Sequence, residues 1–156
     1  EKNAAFDAEV RDRFLPLYEK LSAGNEWLSR ADECLARIVV LDQFPRNMFR
    51  GSPRAFGSDA LALAAAKRAV ASGYDRTMLD VERQFVYLPF EHSESLADQE
   101  RACELMRPLG AELYDWALRH KRIIERFGRF PHRNEILGRA STAEEIEFLK
   151  QPGSGF

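Results

Sequence analysis

Residues 6–24 read FDAEVRDRFLPLYEKLSAG, and the apolar side chains in this stretch recur at the spacing of one helix face. The apolar positions are Phe6, Val10, Phe14, Leu17, Tyr18 and Leu21, and Gly24 follows where the pattern stops. Charged residues fill most of the remaining positions. The stretch therefore predicts an amphipathic α-helix whose apolar face packs against the rest of the protein.

Similar patterns predict further helices along the chain. They are expected from Ser29 towards Pro45, from Ser58 to about Gly73, from Asp80 to the region of His92, from Leu96 to Leu109, from Leu113 to Phe127, and from Thr142 to before Pro152. No stretch shows the alternation of a β-strand, and no fixed sequence period is present. The sequence therefore predicts an all-α protein in which about seven helices pack as antiparallel pairs.

Several residues are expected to start these helices or to fill the core. Ser29 and Ser58 are expected N-caps, and Thr142 with Glu145 has the spacing of a capping box. The aromatic residues at core spacing are Phe14, Phe85, Trp116 and Phe127, and Leu88 is expected to point inward with Phe85.

Length and composition limit the class of protein. The chain has 156 residues, a length that fits one domain over 1–156, and it is 45% hydrophobic and 31% charged. A formal net charge of −2 argues against nucleic-acid binding. No apolar run is long enough to span a membrane. Cys34 and Cys103 each lie in a helix-like stretch without a CxxC motif or a Cys/His cluster, which favours two reduced, packed thiols over a disulfide. We therefore expect a cytoplasmic protein that does not bind membranes.

Two short motifs echo each other. Phe44-Pro45-Arg46-Asn47 has Gly51 four residues after its asparagine, and Phe130-Pro131-His132-Arg133-Asn134 has Gly138 four residues after its own asparagine. Each motif is expected where a helix stops. The two arginine–asparagine turns are thus predicted to face one shared region, which we take as the candidate site.

The charged residues around these motifs have two interpretations. Arginines recur near the first motif at Arg46, Arg50 and Arg54, and an acidic run at residues 91–100 lies between the motifs in sequence. In the first interpretation the arginines hold helices together by pairing with carboxylates. In the second they bind a phosphate or carboxylate ligand, and the candidate ligand-binding residues are Arg46, Asn47, Arg50, Arg54, Arg129, His132, Arg133 and Asn134.

A third interpretation is catalytic. His92 or His132 is the candidate general base, with Glu91 or Asp98 orienting the imidazole. His120 lies on the apolar stripe of its helix and is expected to be a core histidine. No HExxH or ExxH spacing predicts a metal, and no GxxxxGK[ST], GxGxxG or GxSxG motif predicts a nucleotide, dinucleotide or elbow-hydrolase site. No metal and no cofactor are therefore expected.

The long motifs resemble a widespread bacterial family known as domain of unknown function 924. The resemblance is carried by residues 41–56, 87–100, 127–134 and 141–149, so it covers nearly the whole chain. It implies an irregular, tetratricopeptide-like array of helices, and it brings no activity, substrate or cofactor. Family members begin with an aromatic-rich segment that is not found ahead of Glu1, so we expect an N-terminal segment to be missing.

Three hypotheses about function follow from these patterns. The first is a binding protein that holds an anionic small molecule or a peptide carboxylate in an arginine-lined groove. The second is a small hydrolase or transferase that uses a histidine–carboxylate pair, with arginines stabilising negative charge. The third is an adaptor that recruits protein partners through an apolar helix face, with the arginines serving as structural clamps.

Overall fold

The computed structural model describes residues 3–155, and in this part of the chain it contains helices and no strand. The α-helices are α1 (Ala4–Ala23), α2 (Ala31–Ile38), α3 (Phe44–Met48), α4 (Asp59–Ala71), α5 (Asp80–Glu91), α6 (Leu96–Met106), α7 (Ala111–Phe127) and α8 (Ala143–Leu149). The all-α prediction is confirmed. Glu1, Lys2 and Phe156, which the predicted 1–156 domain includes, lie outside the described residues.

From α4 to α7, helices that follow each other along the chain pack side by side. Helix α4 packs against α2 and α5, α6 lies between α5 and α7, and α1 packs on α3. Four alanines of α4 are almost fully buried and permit close approach of its neighbours: Ala62, Ala65, Ala66 and Ala69. Cys34 and Cys103 are both buried and unpaired in the main cluster, as expected. Within residues 3–155 no helix is long and apolar enough to cross a membrane.

The predicted helix that starts near Ser29 does not end at Pro45. Pro45 has no N–H group, and its ring crowds the carbonyl of Leu41 four residues earlier. The chain widens there into a π turn over Val39–Gln43, and the helical path then continues through Pro45 to Met48 in α3. The Leu41 carbonyl instead accepts a hydrogen bond of 2.6 Å from Ser58 Oγ. The first repeated motif is thus helical, and the prediction that it forms a turn was wrong.

Of the three predicted helix caps, only that of Thr142 forms. Arg30, not Ser29, occupies the N-cap position of α2 and makes no side-chain cap bond. Ser58 occupies the N-cap position of α4, but its hydroxyl donates to Leu41 and does not cap the helix. The capping box is confirmed: Glu145 N–H donates to Thr142 Oγ1 over 3.2 Å, and Thr142 N–H donates to Glu145 Oε2 over 2.7 Å.

Some of the expected core side chains lie at the surface. Trp116 is 43% exposed, with the Arg119 guanidinium 4.9 Å from the centre of its ring system. Phe85 and Leu88 are only half-buried, because the buried face of α5 is centred on Val86, Tyr87 and Phe90. The apolar stripe of an amphipathic helix is wider than the strip that its neighbours cover, so residues at its edge remain exposed.

The contact between Ser58 and Leu41 predicts a stability change. Ser58→Ala leaves the buried Leu41 carbonyl without its hydroxyl donor and is expected to lower the free energy of unfolding by about 1–3 kcal/mol. Urea denaturation measures this loss. Ser95→Ala is the matched control, because Ser95 is exposed and its side chain makes no cap bond to α6. Equal unfolding midpoints for the two variants would contradict the role assigned to Ser58.

Candidate functional site

The two repeated motifs meet at one carboxylate. Arg46 of the first motif donates to both oxygens of Asp59, over 2.9 and 3.2 Å. Arg133 of the second motif approaches the same carboxylate, with Nη1 3.4 Å from Oδ2. Asp59 is the first residue of α4, and it is not among the candidate residues predicted from the sequence. The shared region predicted for the two arginines is therefore centred on Asp59.

A cavity of about 360 Å³ lies next to this meeting point. We call it the histidine cavity, and its polar lining consists of Arg46, Arg50, His92, His120, His132 and Arg133. Phe56 and Ile136 supply apolar walls. The structure thus brings together both candidate bases, His92 and His132, with three of the predicted arginines. Among residues 3–155, no three His, Cys, Asp or Glu side chains cluster as metal ligands.

His92 is oriented by a buried carboxylate on the wall of this cavity. Its Nδ1 lies 2.7 Å from Oδ1 of Asp42, which belongs to the π turn and is fully buried. Gln43 Nε2 donates to Asp42 over 2.6 Å, and Arg46 Nη1 lies 3.5 Å from the carboxylate. Burial opposes the charge of Asp42, but His92, Arg46 and Gln43 outweigh it and lower the pKa of this carboxyl to about 2.

The contact with Asp42 also fixes the state of the imidazole. Burial lowers the pKa of His92 below its usual 6.5, in spite of the attraction of Asp42. At neutral pH the ring is therefore neutral, with its Nδ1–H donated to Asp42. The lone pair is then on Nε2, the nitrogen that a general base uses.

The orienting carboxylate differs from the two predicted from sequence. Asp98 accepts a hydrogen bond from Ser93 Oγ over 2.8 Å and lies 2.6 Å from Lys67 Nζ. Glu91 lies 3.4 Å from Nδ1 of His120. The two carboxylates predicted to orient His92 are its near neighbours in sequence, whereas the carboxylate in contact with it lies 50 positions earlier in the chain.

Glu91 and His120 form a second buried pair beside the cavity. Glu91 is 2% exposed, and burial together with the nearby charge of Asp42 raises the pKa of its carboxyl to about 8. His120 is buried, as expected, but it also lines the cavity, and its Nδ1 lies 2.9 Å from the carbonyl of Trp116. Burial lowers the pKa of His120 to about 4. At neutral pH Glu91 thus keeps its proton and His120 is uncharged.

Asp7 of α1 holds the end of the first motif. Arg50 donates to both oxygens of Asp7 over 2.7 and 3.0 Å, and Asn47 Nδ2 donates to it over 2.8 Å. Arg54 is exposed, with its guanidinium 3.9 Å from the ring centre of Phe49. Asn47 and Arg54 lie outside the lining of the histidine cavity. Arg50 reaches the cavity with its charge already paired.

The second motif is held in a similar way, but mostly away from the cavity. Arg129 donates to both oxygens of Glu145 over 2.7 and 2.8 Å, and also to the carbonyl of Ala140. Asn134 is fully buried and accepts a hydrogen bond of 3.0 Å from Arg139 Nε. These contacts join the motif to α8. Arg129 and Asn134 are therefore placed as structural residues outside the cavity lining.

Arg133 is paired less completely than the other arginines of the site. It is 7% exposed, and its guanidinium lies between two aromatic rings, 4.7 Å from the centre of Phe56 and 4.6 Å from that of Phe130. Its Nε is buried and has no hydrogen-bond partner among the described residues. Burial lowers the pKa of Arg133 to about 10, so the group stays charged at neutral pH. A buried cation whose one carboxylate contact is long, at 3.4 Å, is well suited to bind an anionic ligand in the cavity that it lines.

The raised pKa of Glu91 predicts how stability changes with pH. Between the ordinary value of 4.5 and about 8, the native state keeps a proton that the unfolded state has lost, so stability falls as pH rises through this range. Glu91→Gln removes the titration. Denaturant unfolding measures the free energy of unfolding of the variant and the wild type at pH 5 and pH 8. The value for the variant minus that for the wild type should rise by on the order of 3 kcal/mol from pH 5 to pH 8.

The control for this experiment is Glu135→Gln at an exposed position. It should follow the wild type at both pH values. The destabilisation expected on acidification from the buried histidines is common to all three proteins and cancels in the comparison. Parallel pH curves for Glu91→Gln and the wild type would mean that Glu91 is ionised in the folded protein at neutral pH.

Comparison with known proteins places the chain in a family. No curated protein matches its sequence. A solved structure, that of a protein of unknown function from Agrobacterium tumefaciens, is similar to it with 44% sequence identity and a TM-score of 0.88; the match covers 96% of this chain and 86% of the other. The model of one family matches residues 1–153. The chain therefore belongs to the family described as bacterial protein of unknown function, DUF924.

Proposed function

We propose that this protein is a small hydrolase or transferase that acts on an anionic substrate in the histidine cavity. The observation that carries the proposal is the 2.7 Å contact between Asp42 and His92 at the cavity wall. General-base catalysis needs a histidine of suitable pKa, held by a carboxylate, in a concave site that a substrate can enter. The Asp42–His92 pair has each of these features.

The role of each group follows from its state at neutral pH. Neutral His92 takes a proton at Nε2 from a water or acceptor hydroxyl as the oxygen of that molecule bonds to the electrophilic phosphorus or carbonyl carbon. The imidazolium that forms is stabilised by the ionised Asp42, and it gives the proton to the leaving group as the bond between that group and the phosphorus or carbonyl carbon breaks. Arg133 binds the anionic group of the substrate and stabilises the charge that develops on it.

The pairing of the arginines favours this proposal over a groove lined by free arginines. Arg46, Arg50 and Arg129 each have a carboxylate partner in bidentate contact. The guanidinium of Arg133 makes only a single 3.4 Å contact with a carboxylate among the described residues, so we assign the anion-binding role to it alone. An anion-binding protein without catalysis remains the second candidate, because the same guanidinium supports it. The adaptor hypothesis has less support, because the exposed large apolar side chains of the described residues lie on or next to six different helices: Phe6, Leu61, Leu79, Val81, Leu96, Trp116, Ile146 and Leu149.

We also propose that the helices form a tetratricopeptide-like array and that the protein is cytoplasmic. The packing of α4, α5, α6 and α7 in chain order supports a stacked helical array. The unpaired thiols of Cys34 and Cys103 support a reducing compartment.

The catalytic role of His92 is tested with chromogenic anionic esters. The substrates are p-nitrophenyl phosphate and mono-p-nitrophenyl succinate, and we expect His92→Asn and Asp42→Asn to lower kcat/KM by about 10²–10⁴-fold. For the wild type, kcat/KM should rise with pH to a plateau, with an apparent pKa below 6.5, because the base must be deprotonated and burial lowers the pKa of His92. Arg54→Ala, at an exposed position outside the cavity, should match the wild type. Unchanged turnover in His92→Asn would refute the assignment.

The role of Arg133 is tested by binding. Isothermal titration with inorganic phosphate and with acetate should show one site, whose affinity falls at least tenfold in Arg133→Lys because lysine lacks the planar fork. Binding that depends on Arg133, together with no turnover of either ester, would favour the non-catalytic binding protein. Equal affinity in Arg133→Lys and the wild type would remove Arg133 from the site.

A further inference from the structure

A second cavity adjoins the histidine cavity. Its volume is about 410 Å³, and we call it the leucine cavity because Leu63 of α4 and Leu137 contribute to its walls. Ala60, Pro89 and Phe56 add further apolar surface. Most of the exposed surface inside this cavity is apolar, and its polar share is smaller than that of the histidine cavity.

The two cavities share three wall residues, Phe56, His92 and Arg133. Phe56 and Arg133 are stacked on each other, so this pair separates the two spaces by little more than the width of its own side chains. A molecule that contacts both His92 and Arg133 in the histidine cavity is thus next to the leucine cavity. The two spaces are positioned to take different parts of one ligand.

The charges of the two cavities set the direction in which such a ligand lies. Asp59 and Glu94 belong to the lining of the leucine cavity. Asp59 is paired with Arg46 and Arg133, and Glu94 is paired with Arg139 over 2.7 and 2.9 Å. The lining of the histidine cavity, by comparison, contains three arginines and no carboxylate, so an anionic group is more favourable there, and the apolar walls of the leucine cavity are free for a hydrocarbon group. The anionic end of a ligand is therefore favoured in the histidine cavity.

We infer that the substrate is a small organic phosphate or carboxylate with a short alkyl or aryl group, whose anionic end binds beside Arg133 and whose apolar group occupies the leucine cavity. This inference rests on the proposed function, since it places the apolar group relative to the anion-binding group assigned there. It adds the chemical class of the substrate and a group of specificity-determining residues, of which Ala60, Leu63 and Leu137 are the main members.

The inference is tested with two homologous series of ligands. One series is methyl-, butyl- and hexylphosphonate, and the other is acetate, pentanoate and heptanoate, all measured by isothermal titration. Each methylene buried in an apolar cavity should tighten binding by about fourfold until the cavity is filled. The gain with chain length is expected in whichever series binds.

Ala60→Trp is the variant that blocks the leucine cavity. Ala60 is exposed at the cavity wall near the start of α4, so the larger side chain fills the cavity without entering the core. Ala71→Trp is the matched control, also exposed on α4 and about 16 Å further along it, at 1.5 Å per residue. Ala60→Trp should abolish the gain with chain length and leave the affinity for methylphosphonate or acetate unchanged. Ala71→Trp should behave as the wild type.

The possible results separate this inference from the proposed function. Binding of the shortest ligands with no gain from longer chains, or the same gain in Ala60→Trp, would overturn the inference and leave the proposed anion site intact. Failure of every phosphonate and every carboxylate to bind would overturn the proposed function and the inference with it.

Discussion

The carboxylate of Asp42 is fully buried, and much of the structure around it follows from the need to keep it ionised. A buried charge without partners is costly, so it must be paired and hydrogen-bonded. Its partners are His92 at the end of α5, Gln43 beside it and Arg46 one turn later. The π turn forced by Pro45 is what places Asp42 among them. The irregular backbone at this point and the candidate site are therefore a single feature of the fold.

Much of the helical structure was predictable from the sequence, whereas the pairings of the site were not. A helical period and a capping box such as Thr142–Glu145 are local patterns that a sequence displays directly. The contact between Asp42 and His92 joins residues 50 positions apart, and no local pattern marks it. Asp59 at the start of α4 is indistinguishable in sequence from any acidic residue that favours a helix N-terminus. A proline within a helical pattern signals a helix end more readily than a π turn, which is why α3 was missed.

The arginines illustrate the same limit. The sequence placed arginines on both motifs, and it allowed either structural pairing or ligand binding. The structure pairs Arg50 with Asp7 and Arg129 with Glu145, over separations of 43 and 16 residues. Residues 91–100, the expected acidic partners, supply Glu94 to Arg139. What sets Arg133 apart is its position between two aromatic rings, where the stacked guanidinium is largely shielded from water and contacts one carboxylate, Asp59, among the described residues.

The pKa values of two buried carboxyls, Asp42 and Glu91, are shifted in opposite directions. At neutral pH Asp42 is therefore ionised and Glu91 is protonated, and this sets the charge of the site. Asp42 has a cation and two hydrogen-bond donors, whereas for Glu91 the causes of the shift are burial and the repulsion of Asp42. With Glu91 protonated, the charges of Arg46 and Arg133 are balanced by those of Asp42 and Asp59. An anion that enters this neutral cluster adds a negative charge in a low-dielectric space, and this raises the pKa of the neighbouring histidines. His120 and His132, whose pKa values burial lowers to about 4, have room for this rise and stay neutral at neutral pH.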